Sequence, residues 1–201
     1  MSSKRLAVVL HGVKSLNQVP GLEAAGRDVE WRCAPTFDAL SEMLPGAEVL
    51  LGWDFRASEL RAAWGQADRL RWIQWSGAGV DALLFPELVS SDVVLTNARG
   101  VFDRAMAESV LGFMLSFAKG FTETFRAQAE RRWNYRWTEQ LMGRDVLIVG
   151  VGSIGREIAR LLSAAGLKVQ GVGRSARTGD ADFGIISAVS DLDQCLAQTD
   201  Y

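Results

Sequence analysis

The stretch DVLIVGVGSIG, residues 145–155, constrains the fold of this chain more than any other. Gly150, Gly152 and Gly155 have the spacing G-x-G-x-x-G. Spacing alone says little, because 20 glycines in 201 residues produce it by chance in about one such chain in five. The flanks say more. Val146–Val149 reads as an apolar strand directly before the glycines. Ile158, Ala159, Leu161, Leu162 and Ala165 recur at helical spacing directly after them. Gly166 closes that helix, and LKVQGV (167–172) reads as the next strand. Strand, glycine turn, helix and strand make a complete β-α-β unit.

In such a unit each glycine has a physical task. Gly150 allows the tight turn out of the strand, Gly152 lets a pyrophosphate approach the backbone, and Gly155 lets the helix lie close to the sheet. The amides of Ser153 and Ile154 stand at the helix N-terminus, where the dipole favours an anion. The alternative is a tight turn that holds no ligand. The end of the second strand chooses the cofactor: a carboxylate there holds the ribose hydroxyls of NAD(H), whereas arginine accommodates a 2′-phosphate. Here the residues are Gly173, Arg174, Ser175 and then Arg177. Two guanidinium groups and a hydroxyl suit a phosphate monoester. NADP(H) is therefore expected over NAD(H), with an exposed basic loop as the alternative.

The first hundred residues alternate short apolar runs with helical patterns. LAVVLHG (6–12), VEWRC (29–33), AEVLLGW (47–53), LRWIQWSG (70–77) and VVLTN (93–97) read as strands. TFDALSEML (36–44) and ASELRAAWG (57–65) read as helices. This alternation predicts an α/β domain built on a parallel sheet. From Asp103, the expected N-cap, one long helix is predicted to about Gln128. Its apolar stripe is Ala107, Val110, Leu111, Met114, Ala118, Phe121 and Phe125. The domain junction falls at Asn97–Phe102, so residues 1–100 and 101–201 are the expected domains. ISAVSDLDQCLAQTDY (186–201) reads as a helix leading to a third strand at about Tyr201.

Composition excludes several classes. The net charge is −2 and the pI about 5.5, so no basic field points to nucleic acid or an anionic membrane. RAQAERRWNYRW (126–137) is locally basic and aromatic, but reads better as a solvated helix end with Trp133 and Trp137 anchoring a loop on the fold or on a partner. The apolar run after Lys4 and Arg5 is too short for a signal peptide, and no run approaches the ~20 apolar residues of a membrane span. A cytoplasmic protein is expected. Cys33 and Cys195 have no metal-ligand spacing, and no metal is expected.

SGAGVD (76–81), TNARG (96–100), AMAESVLGFML (105–115) and LMGRDVLIVGVGSIGREIARLL (141–162), in that order, resemble the D-isomer-specific 2-hydroxyacid dehydrogenases, with a glyoxylate/hydroxypyruvate reductase flavour. The resemblance covers most of residues 45–175. It implies a flavodoxin-like substrate domain followed by a Rossmann domain, and hydride transfer between a nicotinamide and a small 2-keto acid. The amides of Ala78 and Gly79 would hold the substrate carboxylate, as successive amides in a glycine-rich turn form an anion nest. Trp53 would wall the substrate pocket or simply pack in the core. Met106 would lie near the nicotinamide, and the 103–127 helix would contribute to a homodimer.

The family's acid–base machinery is an arginine, a glutamate and a histidine late in the cofactor domain. Here His11 is the one histidine. It reads as a strand-end residue near the cleft or surface and not as the catalytic acid. Glu108 and Arg99 stand at the wrong places in the motif order. No catalytic residue is therefore assigned, the Rossmann domain reads as incomplete, and the 201-residue chain alone is expected to be inactive. A non-catalytic dinucleotide-binding sensor or interaction module on the same fold is the competing reading.

Overall fold

The computed structural model describes residues 5–56 and 59–201. Lys4 and the expected helix start at residues 57–58 lie outside the described residues. The chain divides into two compact units, Met1–Arg99 and Gly100–Tyr201. Gly100 has a φ of 92°, a left-handed backbone that glycine adopts without strain.

The elements of the first unit are β1 (Leu6–His11), β2 (Val29–Ala34), α1 (Phe37–Met43), β3 (Val49–Gly52), α2 (Leu60–Ala63), β4 (Trp72–Trp75), α3 (Pro86–Val89) and β5 (Val94–Thr96). The five strands form one parallel sheet in the order β2-β1-β3-β4-β5. This is the flavodoxin-like order. Central β1 is buried on both faces, as its unbroken apolar run requires, whereas edge strand β5 is largely exposed. Leu40, Leu44, Leu50, Leu60, Ile73 and Trp75 pack on one face of the sheet, and Val8, Leu10, Val13 and Val19 form a second cluster. Thr36 caps α1 by accepting from the Ala39 amide. Gly52 is dictated by packing: a Cβ there would lie 2.1 Å from Cε3 of the buried Trp75 ring.

The second unit comprises α4 (Asp103–Lys119), α5 (Phe121–Ala129), β6 (Asp145–Val149), α6 (Ser153–Ala164), β7 (Lys168–Gly173), β8 (Arg177–Asp180), β9 (Gly184–Ala188) and α7 (Leu192–Leu196). Its sheet order is β6-β7-β9-β8, with β6, β7 and β9 parallel and β8 antiparallel at the edge. Met114 and Ala118 of α4 share one core with Ala159 and Leu162 of α6, Val146 and Ile148 of β6, and Ile186 of β9. This is the Rossmann-like β-α-β arrangement that the glycine run predicts.

Three expectations about this unit need correction. The long helix is two helices, because Gly120 sits between them at φ 60° and ψ 44°. The Gly120 amide closes α4 on the carbonyls of Ser116 and Phe117, the usual way a left-handed glycine ends a helix. Asp103 is the first helical residue and not the cap; Phe102 holds the cap position. Finally, Ile186 belongs to a strand. The third parallel strand is β9, and the helix after it is short. Asp200 and Tyr201 then start pairing on the other flank of β6: their amides donate to the Asp145 carbonyl at 2.9 and 3.2 Å, and the Leu147 amide donates to the Tyr201 carbonyl at 2.9 Å.

Candidate functional site

At the end of β6 the chain must turn through Gly150 to enter α6. Gly150 has a φ of 111°, which L side chains rarely adopt, and its amide donates to the Val172 carbonyl at 2.9 Å. Gly152 caps α6 in an extended conformation and brings no side chain to the cap. The first intrahelical bond runs from the Arg156 amide to the Gly152 carbonyl. The amides of Ser153, Ile154 and Gly155 thus open the helix with no side-chain cap and no acidic residue in the first turn. A Cβ on Gly150 or Gly152 would meet nothing within 4 Å. This open, uncapped helix start fits an anionic phosphate.

Gly155 and two further glycines hold the turn in shape. A Cβ on Gly155 would lie 2.0 Å from the Gly150 carbonyl oxygen, so only glycine lets helix and strand end come this close. Val151, between the first two motif glycines, packs on β7: Cβ atoms on Gly171 and Gly173 would come within 2.9 and 3.0 Å of it. The bare surface of β7 is therefore the seat for the Val151 side chain. The sequence motif does not contain that relation, although the glycines of VQGVG (169–173) are its trace.

Arg174 and Ser175 follow β7 directly and are exposed. They lie at the carboxyl end of the parallel strands, where open α/β sheets bind ligands. Among the described residues Arg174 has no ion-pair partner. Arg177 is different. It opens β8, and its Nε and Nη2 each approach Asp180 Oδ2 at 3.4 Å. Asp180, three residues on and at the far end of β8, is drawn back against Arg177. Asp180 also receives the fork of Arg156, Nη1 to Oδ1 at 2.9 Å and Nη2 to Oδ2 at 2.7 Å. Arg156 Nη1 donates to Asp182 as well, and Arg160 pairs with the same carboxylate. Arg156 holds the Asp180 carboxyl well below the usual range, helped by the amides of Asp182 and Phe183. The sequence carries no local sign of this network, because it joins a helix turn to a hairpin over 24 residues.

In the first unit the carboxyl end of the sheet carries the other candidates. The His11 carbonyl accepts from the Trp53 amide at 3.0 Å, and Ser76 Oγ donates to the Trp53 carbonyl at 2.6 Å. Trp53 is 38 % exposed, which rules out plain core packing. It lines a cavity of 390 Å³ with Gly12, Val13, Gln18, Asp54 and Phe55. Asn97 Nδ2 donates to the Ala78 carbonyl at 2.7 Å and braces the loop. Among the described residues the amides of Ala78 and Gly79 have no acceptor. Neither Gly77 nor Gly79 has a positive φ, so the two amides sit in a turn with no left-handed glycine. Asp81 also stands close, 3.2 Å from where a Gly79 Cβ would be.

His11 ends β1 but is only 1 % exposed, so it is not a surface residue. Its Nε2 lies 3.6 Å from Glu59 Oε2, and its Nδ1 has no hydrogen-bond partner. Burial lowers its pKa, outweighing the opposing pull of the Glu59 and Asp54 carboxylates. Met106 is partly exposed on α4, and Glu108 is paired with Arg104 at 2.8 Å. In the basic stretch 126–137, Arg126 and Arg132 pair with Glu123, and Arg136 donates to the Gly120 carbonyl at the end of α4. Trp133 and Trp137 are each 90 % exposed and anchor nothing on this chain.

Residues 111–201 match the family model described as D-isomer specific 2-hydroxyacid dehydrogenase, NAD binding domain. By this match the segment is similar to the NAD-binding domain of the 2-hydroxyacid dehydrogenases. The matched segment contains the whole glycine cradle, together with Arg174, Ser175 and Arg177. Over 98 % of its length the chain is similar to the D-isomer specific 2-hydroxyacid dehydrogenase family protein of Aeromonas salmonicida, with 31 % identity and a TM-score of 0.84. It also resembles, at 24 % identity, 96 % coverage and a TM-score of 0.74, an NADPH-dependent glyoxylate/hydroxypyruvate reductase of Sinorhizobium meliloti, solved with NADP and sulfate. A D-3-phosphoglycerate dehydrogenase of Methanocaldococcus jannaschii is 22 % identical over 90 % of the chain. The chain spans 62 % and 60 % of the two solved dehydrogenases and 34 % of the archaeal one. Among the described residues no helix is long and apolar enough to cross a membrane, and no cluster has the makings of a metal site.

Proposed function

We propose that this chain serves an NADP(H)-dependent oxidoreductase that reduces a small 2-keto acid to a D-2-hydroxy acid, in the manner of the glyoxylate/hydroxypyruvate reductases. The observation that carries the reading is the uncapped start of α6 over an open glycine turn, with exposed Arg174 and Ser175 at the end of the adjacent strand. Gly150, Gly152 and Gly155 with the amides of Ser153 and Ile154 would hold the pyrophosphate, and Arg174, Ser175 and Arg177 the 2′-phosphate. The nicotinamide supplies the hydride when bound. The Ala78 and Gly79 amides would hold the substrate carboxylate, and Trp53 would wall the pocket.

None of these groups exchanges the hydroxyl proton. His11, the one histidine of the 201 residues, is sealed from solvent and held neutral by burial. The 201-residue chain alone is therefore expected to bind cofactor without turning over glyoxylate or hydroxypyruvate. The exposed apolar side chains Phe113 and Phe117 of α4, Phe125 of α5, Trp133 and Trp137 favour a homodimer through this region. The proposed setting is the cytoplasm, with no nucleic-acid or membrane partner. Calorimetric titration with NADPH and NADH tests the reading. NADPH should bind at least tenfold more tightly, and equal or tighter NADH binding would sink the preference.

A further inference from the structure

Asp180 stands in an unusual relation to the cofactor loop. Its two oxygens are already satisfied without Arg177. Oδ1 accepts from Arg156 Nη1 and from the amides of Asp182 and Phe183, and Oδ2 takes Arg156 Nη2 at 2.7 Å. The Asp180 side chain is 7 % exposed and fixed, whereas that of Arg177 is 43 % exposed. Both contacts from Arg177 are long, at 3.4 Å. Arg177 lies across β9 from Gly171, since both pair with Ile186, and the loop of Arg174 and Ser175 leads straight into it. A guanidinium in this position is held by a loose, partly exposed contact next to the place where a 2′-phosphate would arrive.

We propose that Asp180 is a specificity-setting residue that competes with the cofactor's 2′-phosphate for Arg177. Resting on the NADP(H) reading above, this assigns Arg177 two positions. Without ligand it lies on Asp180. With a phosphate monoester present it turns to the doubly charged group, and Asp180 stays neutralised by Arg156. Asp180 thereby lowers affinity for the phosphorylated ribose while leaving the unphosphorylated one untouched. The effect is bounded by what a partly exposed pair contributes, which is about two- to fivefold in a binding constant.

The test uses the 201-residue chain and two probes, 2′,5′-ADP and 5′-ADP, titrated into the wild type, Asp180→Asn, Arg177→Gln and the double variant. The expected results are a two- to fivefold tighter 2′,5′-ADP complex in Asp180→Asn (the bound just given), unchanged 5′-ADP binding, and no gain in the double variant. Arg177→Gln leaves the Arg156–Asp180 fork in place and should weaken 2′,5′-ADP alone. Unchanged or weaker 2′,5′-ADP binding in Asp180→Asn, or no loss in Arg177→Gln, overturns the competition. If Asp180→Asn fails to fold, Asp180→Ser, which also removes the charge and keeps a hydroxyl acceptor, takes its place with the same expected and overturning results. A wild type that does not prefer 2′,5′-ADP over 5′-ADP instead overturns the NADP(H) reading, and the competition falls with it.

Discussion

A methyl group at residue 155 would stand 2.0 Å from the Gly150 carbonyl oxygen and 3.1 Å from its carbon, both of them backbone atoms. Helix and strand end would have to part to admit it. Gly155→Ala should lower stability by about 1–3 kcal/mol, the usual cost of overpacking. It should also weaken NADPH binding at least tenfold, because the amides of the helix start move. Urea melts and titration check both. His11 offers a second test. Its folded pKa lies below the usual histidine value, so the unfolded chain binds more protons between the two. Its contribution to stability is full above about pH 6.5 and is lost as pH falls from there towards the folded value. The melting temperature should therefore drop on acidification, and His11→Asn should flatten that drop. An unaltered pH slope in His11→Asn would show that the imidazole is not its source.

Gly120 shows how an element can escape a reading based on periodicity. Apolar residues keep helical spacing through Ala118, Phe121 and Phe125, so the pattern runs on where the backbone does not. The left-handed glycine and the Arg136 guanidinium on the Gly120 carbonyl end the helix together. Arg136→Ala should cost about 1 kcal/mol, measured by thermal melts, since a cation leaves the negative end of α4. The parallel strands of the first unit and the β6-α6-β7 segment were legible because their apolar runs are uninterrupted and their turns glycine-marked. β8 was not, because Arg177–Asp180 is polar and carries no alternation. β9 was not, because its few apolar residues merge with the helical spacing of the short α7. The glycine cradle was legible from three positions and their flanks. The Arg156–Asp180 fork, the buried His11 and the seat of Val151 on β7 were not, because each is a contact between elements distant in sequence.

The exposed aromatic side chains of α4, α5 and the 131–142 segment matter at the scale of the whole molecule. Phe117 is 81 % exposed, and a face this apolar favours association with a second copy. Sedimentation should find a dimer at micromolar concentration, and Phe117→Glu should shift it towards monomer with little change in melting temperature of the monomeric form. A wild type that is monomeric at all concentrations would remove the dimer from the proposal. The opposite edge of the second sheet is built for the contrary purpose. β8 is four residues long, polar, and broken in register between Thr178 and Asp180, where Gly179 has a φ of 74°. Behind it lies β9, whose Ile185 and Ile186 would make an attractive template for another chain's strand. With its ladder interrupted and its side chains charged, β8 offers no continuous row of amides and carbonyls to extend. The hairpin that places Arg177 beside the cofactor loop thus also terminates the sheet, and guards the protein against fibrillar growth from that side.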